Sequence, residues 1–221
     1  MNKLRMRFSK TGRAVYISHL DLMHTMQRAF ARASYRIKHS EGYNPHPIIS
    51  IALPLSVGAE SMCEVMDFRL EGKDEDASNM VSRLNSSLPE GIEVLEIYES
   101  DRKAAEIRYL AITGVYEYDR GGAAEKAAAL NEFYAQSSIE IMKKSKRGMT
   151  LTDIAPMIKS IAAEPAGDCA VSIRAVICAQ EPTLNPELLV SSLKEKRPEL
   201  APDFAKFKRV ETYDAEMKVF R

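Results

Sequence analysis

Leu4, Met6 and Phe8 alternate with Arg5 and Arg7, the period-two pattern of a strand with one buried face. Thr11-Gly12-Arg13 breaks it. Ser18-His19-Leu20-Asp21 then sets a hydroxyl three residues before an acid, which predicts a helix start of the capping-box kind. Leu22, Met23, Met26, Ala29, Phe30 and Ala33 carry its apolar stripe to about Ala33. Gly42-Tyr43-Asn44-Pro45-His46-Pro47 cannot continue as helix, because each proline restricts itself and the residue before it. Extended stretches are predicted for Ile48 to Leu53 and Cys63 to Leu70. A second helix follows from about Asp76, with Ala77, Met80, Val81, Leu84 and Leu88 at helical spacing. Pro89-Glu90-Gly91 ends it, and Ile92, Val94, Leu95 and Ile97 form another strand.

The second half is predicted to repeat this order. Ile107 to Tyr118 reads as a strand rich in β-branched and aromatic residues, and Ala123 to Gln136 as an alanine-rich helix. Ile139 to Met142, a turn at Lys146-Arg147-Gly148, and Thr150 to Ile161 supply a strand plus irregular apolar structure. Val171 to Cys178 is a strand, Asn185-Pro186-Glu187 opens a helix that stops before Pro198, and Phe204 to Tyr213 is the last strand. The expected architecture is therefore α+β, two tandem ferredoxin-like (βαββαβ) domains, at 1–103 and 104–221. The halves share no residue-level similarity, so the duplication is one of element order. A length of 221 residues suits two domains of about 100 residues each.

Composition adds little; distribution adds more. Lys+Arg and Asp+Glu both number 31, so net charge says nothing about partners. Yet up to Ser50 the charges are Lys3, Arg5, Arg7, Lys10, Arg13, Arg28, Arg32, Arg36 and Lys38 against only Asp21 and Glu41. From Glu60 to Asp101 acids dominate. Such segregation predicts a basic face if the fold gathers those residues. Cys63, Cys169 and Cys178 lack the close spacing of a zinc, redox or iron–sulfur site and read as reduced thiols. No signal-peptide pattern opens the chain, and no apolar run approaches the ~20 residues of a membrane helix, so a cytoplasmic protein without a membrane partner is expected.

Lys10-Thr11-Gly12-Arg13 leading to Ile17-Ser18-His19-Leu20-Asp21-Leu22-Met23, then Glu41-Gly42-Tyr43-Asn44-Pro45-His46-Pro47, then Ala52-Leu53-Pro54-Leu55-Ser56-Val57-Gly58 resemble a known signature. It is that of the radical-SAM-linked family of uncharacterised proteins. Asp153-Ile154-Ala155-Pro156-Met157-Ile158 and the Lys-Arg-Gly turn match more loosely. The resemblance implies a domain found free-standing or fused behind a cobalamin-binding radical SAM domain, and a setting in RNA metabolism. This chain carries no cluster motif of its own, so radical chemistry would belong to a partner protein.

His19, His24, His39 and His46 lie in one short segment. His19 and His24 are five apart, about 140° around a helix, so they do not share a face as an i, i+4 pair does. A metal site would have to combine His19 or Asp21 with His46; the blander expectation is a first-turn histidine and a turn-ordering one. His24, Arg28, Arg32 and Arg36 recur every four residues opposite the apolar stripe. They read either as a solvated face or, with Lys10 and Arg13, as a phosphate-binding strip beside Tyr43, Asn44 and His46, an aromatic, amide and imidazole suited to an unpaired base. Lys143, Lys144, Lys146 and Arg147 form a second basic cluster at a turn. No cofactor is implied, since Gly121-Gly122 lacks the spacing of a phosphate loop.

The expected function is an RNA-binding or RNA-processing accessory protein, with Lys10, Arg13, His24, Arg28, Arg32, Tyr43 and Asn44 as RNA contacts. If it cleaves, His19 or His46 is the general base. The alternatives are a module docking a radical SAM enzyme and a metal-dependent enzyme using His19, Asp21 and His46.

Overall fold

The structure is a computed structural model, and it describes residues 3–72, 76–145 and 148–221. The chain is a mixed α+β protein whose strands pair antiparallel and whose described residues include four α-helices. It forms two compact units, one running through Ala104 and taking in Arg221, the other Ala105–Phe220.

The first unit runs β1 (Leu4–Lys10), α1 (His19–Arg32), β2 (Ile49–Ile51), β3 (Glu60–Phe68), α2 (Ala77–Asn85) and β4 (Ile92–Glu99). β1 pairs with both β3 and β4, and β2 pairs with β3, giving the spatial order β4-β1-β3-β2. Met6, Phe8, Met66, Phe68, Ile92 and Val94 pack from the strands against Leu22, Met26 and Phe30 of α1 and Met80 and Leu84 of α2. Burying an aromatic or aliphatic side chain of this kind is worth about 1.5–3 kcal/mol, and this sum holds the helices on the sheet. Gly91 is required where it stands. Its φ is +87°, and a Cβ there would lie 2.4 Å from the Thr11 carbonyl oxygen, while the Thr11 N–H donates to the Gly91 carbonyl at 2.8 Å.

The second unit runs β5 (Tyr109–Glu117), α3 (Ala123–Tyr134), β6 (Glu140–Ser145), β7 (Gly148–Asp153), β8 (Ile158–Pro165), β9 (Ala170–Cys178), α4 (Glu187–Lys196) and β10 (Phe204–Tyr213). β5 lies between β9 and β10, and β8 flanks β9. β6 and β7 form a separate hairpin, Met142 opposite Leu151, placed between α3 and β8. The expected irregular stretch from Thr150 is thus a second hairpin strand, a 3-10 turn at Ala155–Met157, then β8. Asp153 makes that transition, accepting from the Ile139 and Ala155 N–H groups at 2.8 and 3.0 Å. Among the described residues no helix is long and apolar enough to cross a membrane.

Candidate nucleic-acid interface

Most of the N-terminal basic run turns inward. The Arg5 side chain is 0% exposed, with Nε 2.7 Å from Asp67, and Lys3 reaches the same carboxylate at 2.7 Å. Arg7 lies 3.7 Å from Glu96. Strand pairing explains this. β1 carries the cations, its neighbours β3 and β4 carry the acids, and Arg5 stands directly opposite Asp67 and Arg7 opposite Glu96 in register. Segments of opposite charge far apart in sequence neutralise each other across the ladder.

Lys10 must be withdrawn as a phosphate ligand. It is 1% exposed, and its Nζ donates to the carbonyls of Val15 at 3.2 Å and Ile17 at 2.8 Å. Burial lowers its pKa, and the Glu64 carboxylate, itself buried, works the other way. The side chain is a strut that closes the 3-10 turn Gly12–Tyr16 onto the end of β1. Ser18 then caps α1, accepting from the Asp21 N–H at 3.2 Å and donating to the Asp21 carboxylate at 2.7 Å. The same turn sets Arg13 and Tyr16 on the surface, Tyr16 at 75% exposure.

The four-residue strip also breaks up. α1 ends at Arg32, and Ser34 takes the left-handed conformation, φ +64°. Tyr35 N–H donates to Phe30 O and Ser34 N–H to Ala31 O, while the Tyr35 and Phe30 rings meet edge to face 6.5 Å apart. This is a Schellman closure, with serine where glycine is usual. It turns the backbone so that Arg36 leaves the helix face. Arg32 in turn donates to the Ser87 carbonyl at 2.5 Å. His24 and Arg28 remain exposed on the outer face of α1, and neither has a side-chain partner among the described residues.

Beyond α1 the chain folds back as a clasped loop. Ile37 bridges Leu70 and His39 bridges Pro47. At the neck, Ser40 and His46 are tied twice: Ser40 Oγ lies 2.9 Å from His46 Nδ1, and the His46 N–H donates to Ser40 Oγ at 3.1 Å. The tip holds Tyr43 and Asn44 exposed, Tyr43 at 107%. His46 is thus the clasp of the loop, its imidazole engaged in holding the neck.

His19 and His46 do not meet. His19 opens α1 beside the end of β1, whereas His46 lines a small cavity with Lys3, at the start of β1, and Asp67. The seven residues of β1 separate those levels by about 20 Å. The pair cannot act on one bond, and the combination of His19, Asp21 and His46 cannot hold one ion. Among the described residues no group of three or more His, Cys, Asp or Glu side chains converges. In the second unit Lys143 stands on β6, while Lys146 and Arg147 lie outside the described residues.

A groove of ≈ 680 Å³ lies between the end of α1 and the clasped loop, lined by Gln27, Ser34, Arg36, His39, Pro47 and Glu71 among others. No sequence pattern singles out this groove or Tyr16. Glu71 comes from the end of the β3 region, and only the fold places it opposite Arg36, whose carbonyl accepts the Glu71 N–H at 2.8 Å.

Two α+β units of antiparallel strands, with an exposed helix face and a clasped loop on the first, define the class of protein. The chain belongs to the family described as "Uncharacterized protein conserved in bacteria" (DUF2344), whose model matches residues 3–186. No curated protein matches it in sequence. Among solved structures it is similar to a chain of a Cbf5-Nop10-Gar1 complex, with 9% identity and a TM-score of 0.53 over 95% of this chain and 48% of that one. This chain therefore spans about half of that one, and the likeness is one of fold. An unknown protein from Galdieria sulphuraria, 13% identical over 95% and 98% of the two chains, has a TM-score of 0.28. The CRISPR endoribonuclease Cse3 bound to 19 nt RNA, 12% identical over 94% and 99%, has a TM-score of 0.20. Superpositions that poor carry no argument.

Proposed function

We propose that the chain is a single-stranded RNA-binding accessory protein built on two ferredoxin-like units, the second enlarged by the β6–β7 hairpin. One observation carries the RNA reading. The two most exposed large apolar side chains among the described residues are both tyrosines, Tyr43 and Tyr16, and they bracket α1. Between them α1 is 14 residues long, about 21 Å, and its outer face carries His24 and Arg28 without internal partners. Exposed rings beside an unpaired guanidinium and an imidazole suit a nucleic-acid strand, because rings stack on bases and guanidinium forks grip phosphates. The contacts are Arg13, Tyr16, His24, Arg28, Tyr43 and Asn44; Lys10 and Arg32 drop out. Arg36 joins from the groove.

Fluorescence anisotropy with a short single-stranded RNA across a salt series tests this. Tyr16→Ala and Tyr43→Ala are expected to weaken binding about 5- to 150-fold each, the ~1–3 kcal/mol of one stacked base. Arg28→Ala is expected to lower the salt slope by about 0.7. Binding that ignores salt, or a double tyrosine variant that binds like wild type, defeats the proposal.

A second reading has its own observation. Leu20 and Val57 are 69% and 60% exposed, and the Gly58 N–H, beside Val57, donates to Val15 O, beside Tyr16. Apolar side chains held outward by fixed loops suit a protein partner. A radical SAM enzyme is the partner that the family resemblance suggests. Co-purification of such an enzyme, lost with Leu20→Asp and free of nucleic acid, favours docking over RNA.

A further inference from the structure

The groove at the end of α1 holds five polar side chains, those of Gln27, Ser34, Arg36, His39 and Glu71, and none of them has a partner within the protein among the described residues. Arg36 and Glu71 are the telling pair. Their backbones are joined by a 2.8 Å hydrogen bond beside the Ile37–Leu70 bridge, so their side chains leave neighbouring positions, and yet no ion pair forms between them. Each keeps its charge toward the same open volume. A groove of ≈ 680 Å³ falls in the range of small-molecule sites, where a few convergent polar groups on an apolar floor fix the ligand. Pro47 and the buried Ile37 supply that floor.

We infer that this groove binds a guanine nucleotide, with Glu71 reading the base and Arg36, assisted by His39, holding the phosphate. A carboxylate only accepts hydrogen bonds, through two adjacent oxygens. Guanine offers two adjacent donors on its Watson–Crick edge, N1–H and N2–H. Adenine and cytosine each pair a donor with an acceptor there, and uracil sets its one donor between two acceptors, so each leaves a carboxylate oxygen facing a lone pair. The Arg36 fork matches phosphate oxygens, which need a cation that stays charged. Arg36 reaches the groove only because the Schellman closure at Ser34 takes it off the helix. The inference deepens the RNA proposal and rests on it where the nucleotide is part of a strand; a free nucleotide presents the same chemistry.

Calorimetry of the full chain at low salt with GMP, AMP, CMP and UMP tests the site, alongside thermal melts that check folding of each variant. GMP is expected to bind at least about tenfold tighter than the others, within the discrimination one bidentate base contact gives. Glu71→Gln is expected to shift the preference from GMP to AMP and CMP, because an amide pairs a donor and an acceptor as adenine and cytosine do. Arg36→Ala is expected to weaken all four and flatten their salt dependence. Equal binding of the four, an unchanged order in Glu71→Gln, or no nucleotide binding overturns the inference. A short uridine oligonucleotide with and without a central guanosine separates the two proposals. Uridine binding without GMP binding overturns the groove and leaves the RNA interface standing; GMP binding without oligonucleotide binding supports the groove as a free-nucleotide site and removes the RNA interface.

Discussion

Replacing Lys10 by Met tests the buried strut most directly. The methionine stem keeps the packing of the lysine chain while removing the ammonium from two carbonyl acceptors, Val15 O and Ile17 O. It also removes a favourable charge from the neighbourhood of Glu64, which is 2% exposed. Val15 O keeps the Gly58 N–H as a donor at 2.9 Å, so Ile17 O is the acceptor left orphaned, at a cost of about 1–3 kcal/mol where water cannot replace the ammonium. Ile17 is half-buried, so water refills part of that loss. With the lost attraction to Glu64, a net loss of about 2 kcal/mol is expected, a sizeable share of the 5–15 kcal/mol typical of a domain. In urea, with a slope of about 2 kcal/mol/M, the midpoint of unfolding falls by about 1 M. Glu64→Gln alone is also destabilising, and the double variant is expected to lose less than the sum by at least ~0.5 kcal/mol. A single-variant loss below about 1 kcal/mol, or strict additivity, refutes the strut.

Gly91→Ala places a Cβ 2.4 Å from Thr11 O at a φ of +87°, and is expected to destabilise the first unit by at least ~2 kcal/mol; an unchanged melting temperature contradicts the close approach. In the second unit burial, with Asp203 adding to it, pushes the Tyr118 phenol up to about 12 while its OH donates to Leu200 O at 3.0 Å. A raised acid pKa favours the folded state below the unfolded value, near 10, and that contribution is lost as pH rises through 10 to 12. Alkaline denaturation followed by tyrosinate absorbance should therefore show a step near 12 that is missing in Tyr118→Phe; a step that persists in the variant excludes the assignment.

Much of the first unit is legible because each of its elements carries a local signal. Alternation marks β1, the Ser18–Asp21 box marks the start of α1, and paired prolines mark the loop. The charges are not legible in that way. Lys10 sits two places past Phe8 at the end of an alternating run, where a loop cation and an inward one look the same. Only the ladder, which sets Arg5 against Asp67 and Arg7 against Glu96, shows that the basic run is neutralised. The helical strip fails at Ser34, since a serine in the left-handed conformation leaves no glycine-like mark of the Schellman turn. The groove is beyond local patterns altogether, because Arg36 and Glu71 are neighbours only through the pairing of Ile37 with Leu70. The β6–β7 hairpin hides for a different reason. Both of its strands are short, and β7 is largely exposed, so its alternation is faint.

The knot between Ser40 and His46 closes the loop at its base, independently of what the five intervening residues are. Whatever sits at the crown can change in size or character without disturbing the wall beneath it. Replacing Tyr43 or Asn44 should therefore remove a contact while leaving the fold and its melting temperature in place.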